Sequence, residues 1–130
     1  MRPRIDRSVV TVPPRVREGM SSRHLDDLRA LPCAVCGRLV GGRSDPHHLL
    51  RGLPVKERGM GRRASDQYAI PACRQHHEEL HAAADDEAYL TRHGIDGRAL
   101  ARALWAARGD RKAMLRVMAR TLNQRGIFIG

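Results

Sequence analysis

With 130 residues the chain has room for one domain and is too short for two comfortable ones. Apolar residues make up 42% but aromatics only 3% (Tyr68, Tyr89, Trp105 and Phe128). That predicts an aliphatic core, argues against a large single core, and leaves little for a base-stacking platform on single strands. Lys plus Arg outnumber Asp plus Glu by 24 to 14, a net charge of +10 carried almost wholly by Arg, which favours a polyanionic partner.

Three cysteines cannot close a disulfide set, so a metal suits them better. No apolar run approaches the roughly 18 residues of a membrane span, and no apolar h-region follows Met1. The sequence therefore predicts no membrane span, no secretory signal and a cytoplasmic location.

Residues 1–20 carry Pro3, Pro13, Pro14 and scattered Arg without helical periodicity, which reads as a basic, extended or partly disordered arm. Ser21-Ser22 can cap a short helix with Leu25, Leu28 and Leu31 on one side, stopped by Pro32. Cys33-Ala-Val-Cys36-Gly37 has the form of a zinc knuckle. Arg38-Leu39-Val40 and Pro46-His47-His48-Leu49-Leu50 read as two strands joined by a hairpin through Gly41-Gly42-Arg43-Ser44. Gly52, Gly59 and Gly61 among Arg51, Lys56, Arg58, Arg62 and Arg63 make a basic loop. A second knuckle at Cys73 runs into a helix through His77, Leu80 and His81. Asp86 to Leu90 begins a helix that Gly94 ends. Asp96 and Asp110 cap two more, near 97–108 and 111–124. Their stripes, Leu100, Leu104 and Trp105, then Met114, Leu115, Met118 and Leu122, have helical spacing and read as packing.

Five of the seven histidines and all three cysteines fall between residues 33 and 81. The two-residue gap of Cys33 and Cys36 lets both thiolates reach one tetrahedral Zn²⁺, and Cys73 and His76 repeat it. Together they form a Cys₃His set, the composition of a closed structural site. His47, His48, His77 and His81 remain. His77 and His81 are four apart, so on a helix they share a face. His76 and His77 diverge by about 100° around a helix, so one serves the knuckle while the other faces a second metal. His47 and His48 alternate on a strand, leaving one to bind metal and the other to take a proton. His24 and His93, outside this cluster, read as surface residues, and Glu78 and Glu79 as a polar helix face.

In order, these motifs (Leu31-Pro-Cys33-Ala-Val-Cys36-Gly37, Pro46-His47-His48-Leu49, and Ser65-Asp66-Gln67-Tyr68 through Cys73-Arg-Gln-His76-His77-Glu-Glu-Leu-His81) resemble the HNH, or ββα-metal, nucleases. Within that family they are most similar to the small phage and prophage group that includes the phage recombination-enhancement nuclease. The resemblance implies an α+β fold with a small ββα-metal core and a structural zinc knuckle, flanked by additional helices. It implies that His48 is the general base and that His47, His77 and His81 hold one divalent ion (Mg²⁺, Mn²⁺ or Zn²⁺). The family's middle position, usually Asn, has no Asn here; Asp66 is the candidate to orient His48, with Tyr68 as the alternative.

The resulting expectation is a DNA endonuclease of low sequence specificity, in which Arg51, Arg58, Arg62, Arg63 and Arg74 hold phosphates. It is organised as an arm (1–20), a zinc-stabilised core (21–94) and a C-terminal helical extension packed on that core (95–130). The alternative is a non-catalytic zinc-stabilised nucleic-acid-binding or recombination-accessory module, docking on a recombination or phage protein.

Overall fold

The computed structural model describes residues 21–49 and 65–128. The expected arm and the basic loop that carries Arg51, Arg58, Arg62 and Arg63 lie outside the described residues. The fold is α+β. Two short strands, β1 (Asp45–His48) and β2 (Ala69–Ala72), pair with five helices around them among the described residues. The helices are α1 (Ser22–Arg29), α2 (Arg74–Ala82), α3 (Asp86–Arg92), α4 (Gly97–Ala106) and α5 (Arg111–Asn123).

The strands are antiparallel, with Asp45 opposite Ala72, His47 opposite Ile70 and His48 opposite Ala69. Leu49 N donates to Tyr68 O at 3.0 Å and extends the ladder by one rung. This pairing corrects the expected hairpin between residues 38–40 and 46–50. Gly41 and Gly42, at φ +67° and +78°, instead close a 3₁₀ turn over Val40–Gly42. The Leu39 and Val40 carbonyls are taken up locally by Gly42 N and Arg43 N, at 3.2 and 3.3 Å. Cys33 N reaches Arg38 O at 2.9 Å, so the whole segment folds onto the knuckle. The true partner strand was hard to read because Pro71 gives the ladder no donor. Pro46 and Pro71 face each other, which a two-stranded sheet tolerates because both strands are edges.

The N-caps follow side-chain chemistry. Ser21, Asp85, Asp96 and Asp110 each accept from a backbone N–H in the first turn of α1, α3, α4 and α5. Leu25 and Leu28 of α1, Ile70 of β2, Leu80 of α2, Leu90 of α3, Leu100 and Leu104 of α4, and Met114, Met118 and Leu122 of α5 all belong to one buried cluster. A single core therefore does form, contrary to the expectation from the low aromatic content; leucines and methionines fill it. Leu115 does not join this stripe and is exposed. Met114, Met118 and Leu122 keep strict four-residue spacing, which turns Leu115 about 100° away.

Polar ties fix the periphery. Arg111 Nε donates to the buried Asp27 at 2.7 Å, binding the start of α5 to α1, and Arg125 Nη1 donates to Ala34 O at 2.9 Å. Some of the Arg excess thus serves the fold. Gly97 lets α4 start against its neighbours, since a Cβ there would lie 2.7 Å from Leu90 Cδ1 and 3.3 Å from Leu49 Cδ1. No helix among the described residues is long and apolar enough to cross a membrane.

Candidate functional site

The knuckle between α1 and β1 and the start of α2 bring four soft ligands together. Atoms of Cys33, Cys36, Cys73 and His76 lie within 4.8 Å of one another. Cys73 Sγ is 3.1 Å and Cys33 Sγ 3.6 Å from His76 Nδ1, while Cys36 Sγ is 4.0 Å from Cys73 Sγ. A tetrahedron with Zn–S bonds near 2.3 Å has edges of roughly 3.8 Å, so the set has the size and donor chemistry of a zinc site. The cysteines form no disulfide. Burial pushes the Cys33 thiol well up, so in the absence of a cation it stays protonated. Burial also lowers His76, keeping the ring neutral, the form that ligates.

The second cluster joins β1 to α2. His47, His77 and His81 each offer a ring nitrogen within 4.8 Å of the others. His77 Nε2 and His81 Nε2 stand 3.0 Å apart, close enough to share a proton or a cation. His77 is lowered first by burial and then by its His47 and His81 neighbours, so it resists protonation. Two carboxylates sit behind these rings. Asp86 Oδ2 lies 2.9 Å from His47 Nε2 with both side chains buried, and Asp45 Oδ2 lies 3.4 Å from His77 Nδ1. His47 Nδ1 is buried without a hydrogen-bond partner among the described residues. A buried orphan of this kind, opposite a carboxylate-bound nitrogen, is what a metal-ligating imidazole looks like when its tautomer is set from behind.

On the other face of β1, His48 Nε2 meets Asp66 Oδ1 at 2.8 Å. Asp66 is fully buried in the 3₁₀ turn Asp66–Tyr68, and its second oxygen accepts from Ser21 N at 2.7 Å. Of the two sequence candidates for this position, Asp66 is the one whose side chain reaches His48; Tyr68 contributes its carbonyl to Leu49. With Nε2–H donated to Asp66, the acceptor nitrogen of His48 is Nδ1.

Arg74 is largely exposed and 3.2 Å from Asp45, beside the histidine cluster. Glu79 does more than solvate a helix face, for it accepts from Tyr89 Oη at 2.6 Å and ties α2 to α3, which holds its carboxyl below the usual range. His93 is exposed as expected, but His24 is not. It is buried, has no hydrogen-bond partner for either ring nitrogen among the described residues, and meets Trp105 edge-on with centroids 4.9 Å apart. Its place on the inner face of α1, one residue before Leu25, overrides the polarity of the ring.

Sequence reasoning did not single out Asp45 or Asp86. Asp86 is 39 positions from His47 and looks like any first-turn acid of a helix. Asp45 precedes the strand histidines, and only the β1–α2 packing reveals its second partner.

Residues 8–108 match the family described as "Protein of unknown function (DUF968)". The chain is a member of DUF968. Both clusters and the His48–Asp66 pair fall inside the matched stretch. This DUF968 chain is also similar to the "Uncharacterized protein YdfU" of Escherichia coli (strain K12), with 35% identity over 81 residues. That similarity covers 62% of this chain and 21% of YdfU, so the chain spans only about a fifth of that relative's length. No solved structure matches the chain significantly.

Proposed function

We propose that this DUF968 chain is a metal-dependent DNA endonuclease of the HNH, ββα-metal kind, stabilised by a zinc on Cys33, Cys36, Cys73 and His76. The observation that carries the reading is the arrangement on β1. His47 points into a three-histidine cluster on one face, while His48 on the other is held by a buried carboxylate.

In the proposed reaction Asp66 fixes the ring of His48 through Nε2–H, and His48 Nδ1 accepts the proton of the attacking water. His47, His77 and His81 are the residues that would hold one divalent ion, with Asp86 and Asp45 setting the orientation of two of these rings. When bound, such an ion supplies Lewis-acid stabilisation of charge on the phosphoryl and leaving oxygens. Arg74 is positioned beside the cluster to meet a phosphate, and the net charge of +10 favours the polyanion.

The deciding experiment is plasmid nicking with added Mg²⁺ or Mn²⁺, comparing wild type with His48→Ala. Cleavage by the wild type that falls by roughly two to four orders of magnitude in the variant is the expected outcome. Salt-dependent DNA binding without cleavage by either protein would instead favour a zinc-stabilised binding module.

A further inference from the structure

A small cavity of about 190 Å³ is lined by Gln67, Tyr68, Arg98, Arg102 and Trp105. It is smaller than the roughly 300–1,000 Å³ of whole-ligand pockets, so it suits one planar or anionic group of a larger molecule. None of its lining residues is acidic. Arg98 and Arg102 lie four apart on α4 and so on one face of the helix. Glu87 steadies Arg98 at 2.9 Å, whereas Arg102 is exposed and makes no ion pair among the described residues. The Arg108 guanidinium lies 4.3 Å over the Trp105 ring and His24 packs against it in a T-shaped contact, so the indole is held in place before any ligand arrives.

The sole tryptophan of the chain, one of its two tyrosines and several guanidiniums thus converge at one place. Aromatic walls with arginines at the rim are the chemistry that accepts a nucleobase and its phosphate. The 3₁₀ turn Asp66–Tyr68 supplies two of the lining residues and also carries the carboxylate that orients His48. We propose that the cavity between the Asp66–Tyr68 turn and α4 is a nucleotide subsite. It takes one unpaired base of the DNA strand against Tyr68 and Trp105, with the adjoining phosphate on Arg98 and Arg102. The subsite rests on the nuclease reading for its biological use, and its binding chemistry is tested without cleavage. It also qualifies the expectation from low aromatic content, because two of the four aromatics line this one cavity.

Because Trp105 is the chain's one tryptophan, its fluorescence reports this place alone. The experiment titrates His48→Ala, which does not turn over in the proposed mechanism, with a hexathymidylate single strand and with a fully paired duplex long enough to stay annealed at the assay temperature. Wild type, read within seconds of mixing, repeats the measurement if that variant folds poorly. The expected result is a saturable change in Trp105 emission with the single strand and little with the duplex at the same concentration. Arg102→Glu should weaken the single-strand response about fivefold or more, beyond the effect of the control Lys112→Glu, which changes net charge equally at another exposed position. Hexathymidylate that binds by anisotropy yet leaves Trp105 unchanged overturns the subsite, as do no binding at all and equal losses in both charge reversals. A Trp105 response in a protein that never nicks plasmid keeps the subsite and removes the nuclease reading; nicking with a silent Trp105 does the reverse.

Discussion

Replacing Asp86 by Ala tests the logic of the second cluster most directly. The carboxylate meets His47 Nε2 at 2.9 Å, and the two side chains are 3% and 7% exposed, so little water is at hand to replace what is removed. Two separate losses follow. Leaving a buried ring N–H without an acceptor costs about 1–3 kcal/mol of stability. Freeing the ring to flip or change tautomer lowers the affinity of its Nδ1 for an ion by roughly 10–100-fold, or about 1.4–2.7 kcal/mol. Asp86→Asn should fall between, since an amide oxygen accepts the same hydrogen without the charge. Calorimetric titration with Mn²⁺ measures the second site, while elemental zinc content tracks the Cys₃His site and should stay at wild-type level. If Asp86→Ala binds Mn²⁺ as tightly as wild type while His47→Ala binds none, the carboxylate does not orient the ligand and the reasoning fails. If His47→Ala also binds normally, the three histidines are not a metal site.

Cys33→Ser, or strong chelation, should remove a tightly held zinc and unfold the domain, seen as loss of helical circular dichroism; a folded, zinc-free protein would remove the knuckle assignment. His81→Ala should lose activity that extra Mg²⁺ or Mn²⁺ partly restores, while His48→Ala should not respond to metal, read as cleavage rate against ion concentration. Gly97→Ala should destabilise by about 1–3 kcal/mol in urea melts, because its methyl would press on Leu90 and Leu49; unchanged stability would mean those side chains yield freely. His24, lowered chiefly by burial against the opposing pull of Asp66 and Asp27, should make stability fall as pH drops below the unfolded value near 6.5. In that window the unfolded chain takes a proton that the folded core refuses, and below the lower folded value the loss levels off. Replacing His24 with Leu should flatten that part of the stability–pH curve, and an identical curve would refute the assignment.

The metal-type clusters were legible because ligand spacing is local. Cys-x-x-Cys, Cys-x-x-His and His-x-x-x-His each fit within one turn, and the structure brings each set together. Helix starts were legible for the same reason, since Ser21, Asp96 and Asp110 cap neighbours three residues away. The strand pairing was not, because its partners are set by packing across a long separation and β2 carries a proline. Asp86 and Asp45 were invisible for a related reason, as a carboxylate behind a histidine has no fixed offset in sequence. His24 misled because polarity predicts exposure only when the helix face is unknown.

The pairing of β1 with β2 has a consequence for how damage at one cluster reaches the other. The last described rung of the ladder is Leu49 N to Tyr68 O. At the opposite end Ala34 N bonds Pro71 O, and the Cys₃His cluster joins the segment before β1 to the residues that follow β2. His47, His48 and Asp66 therefore share their support with the Cys₃His clasp, so loosening that cluster should disturb the second site before any of its own residues is changed.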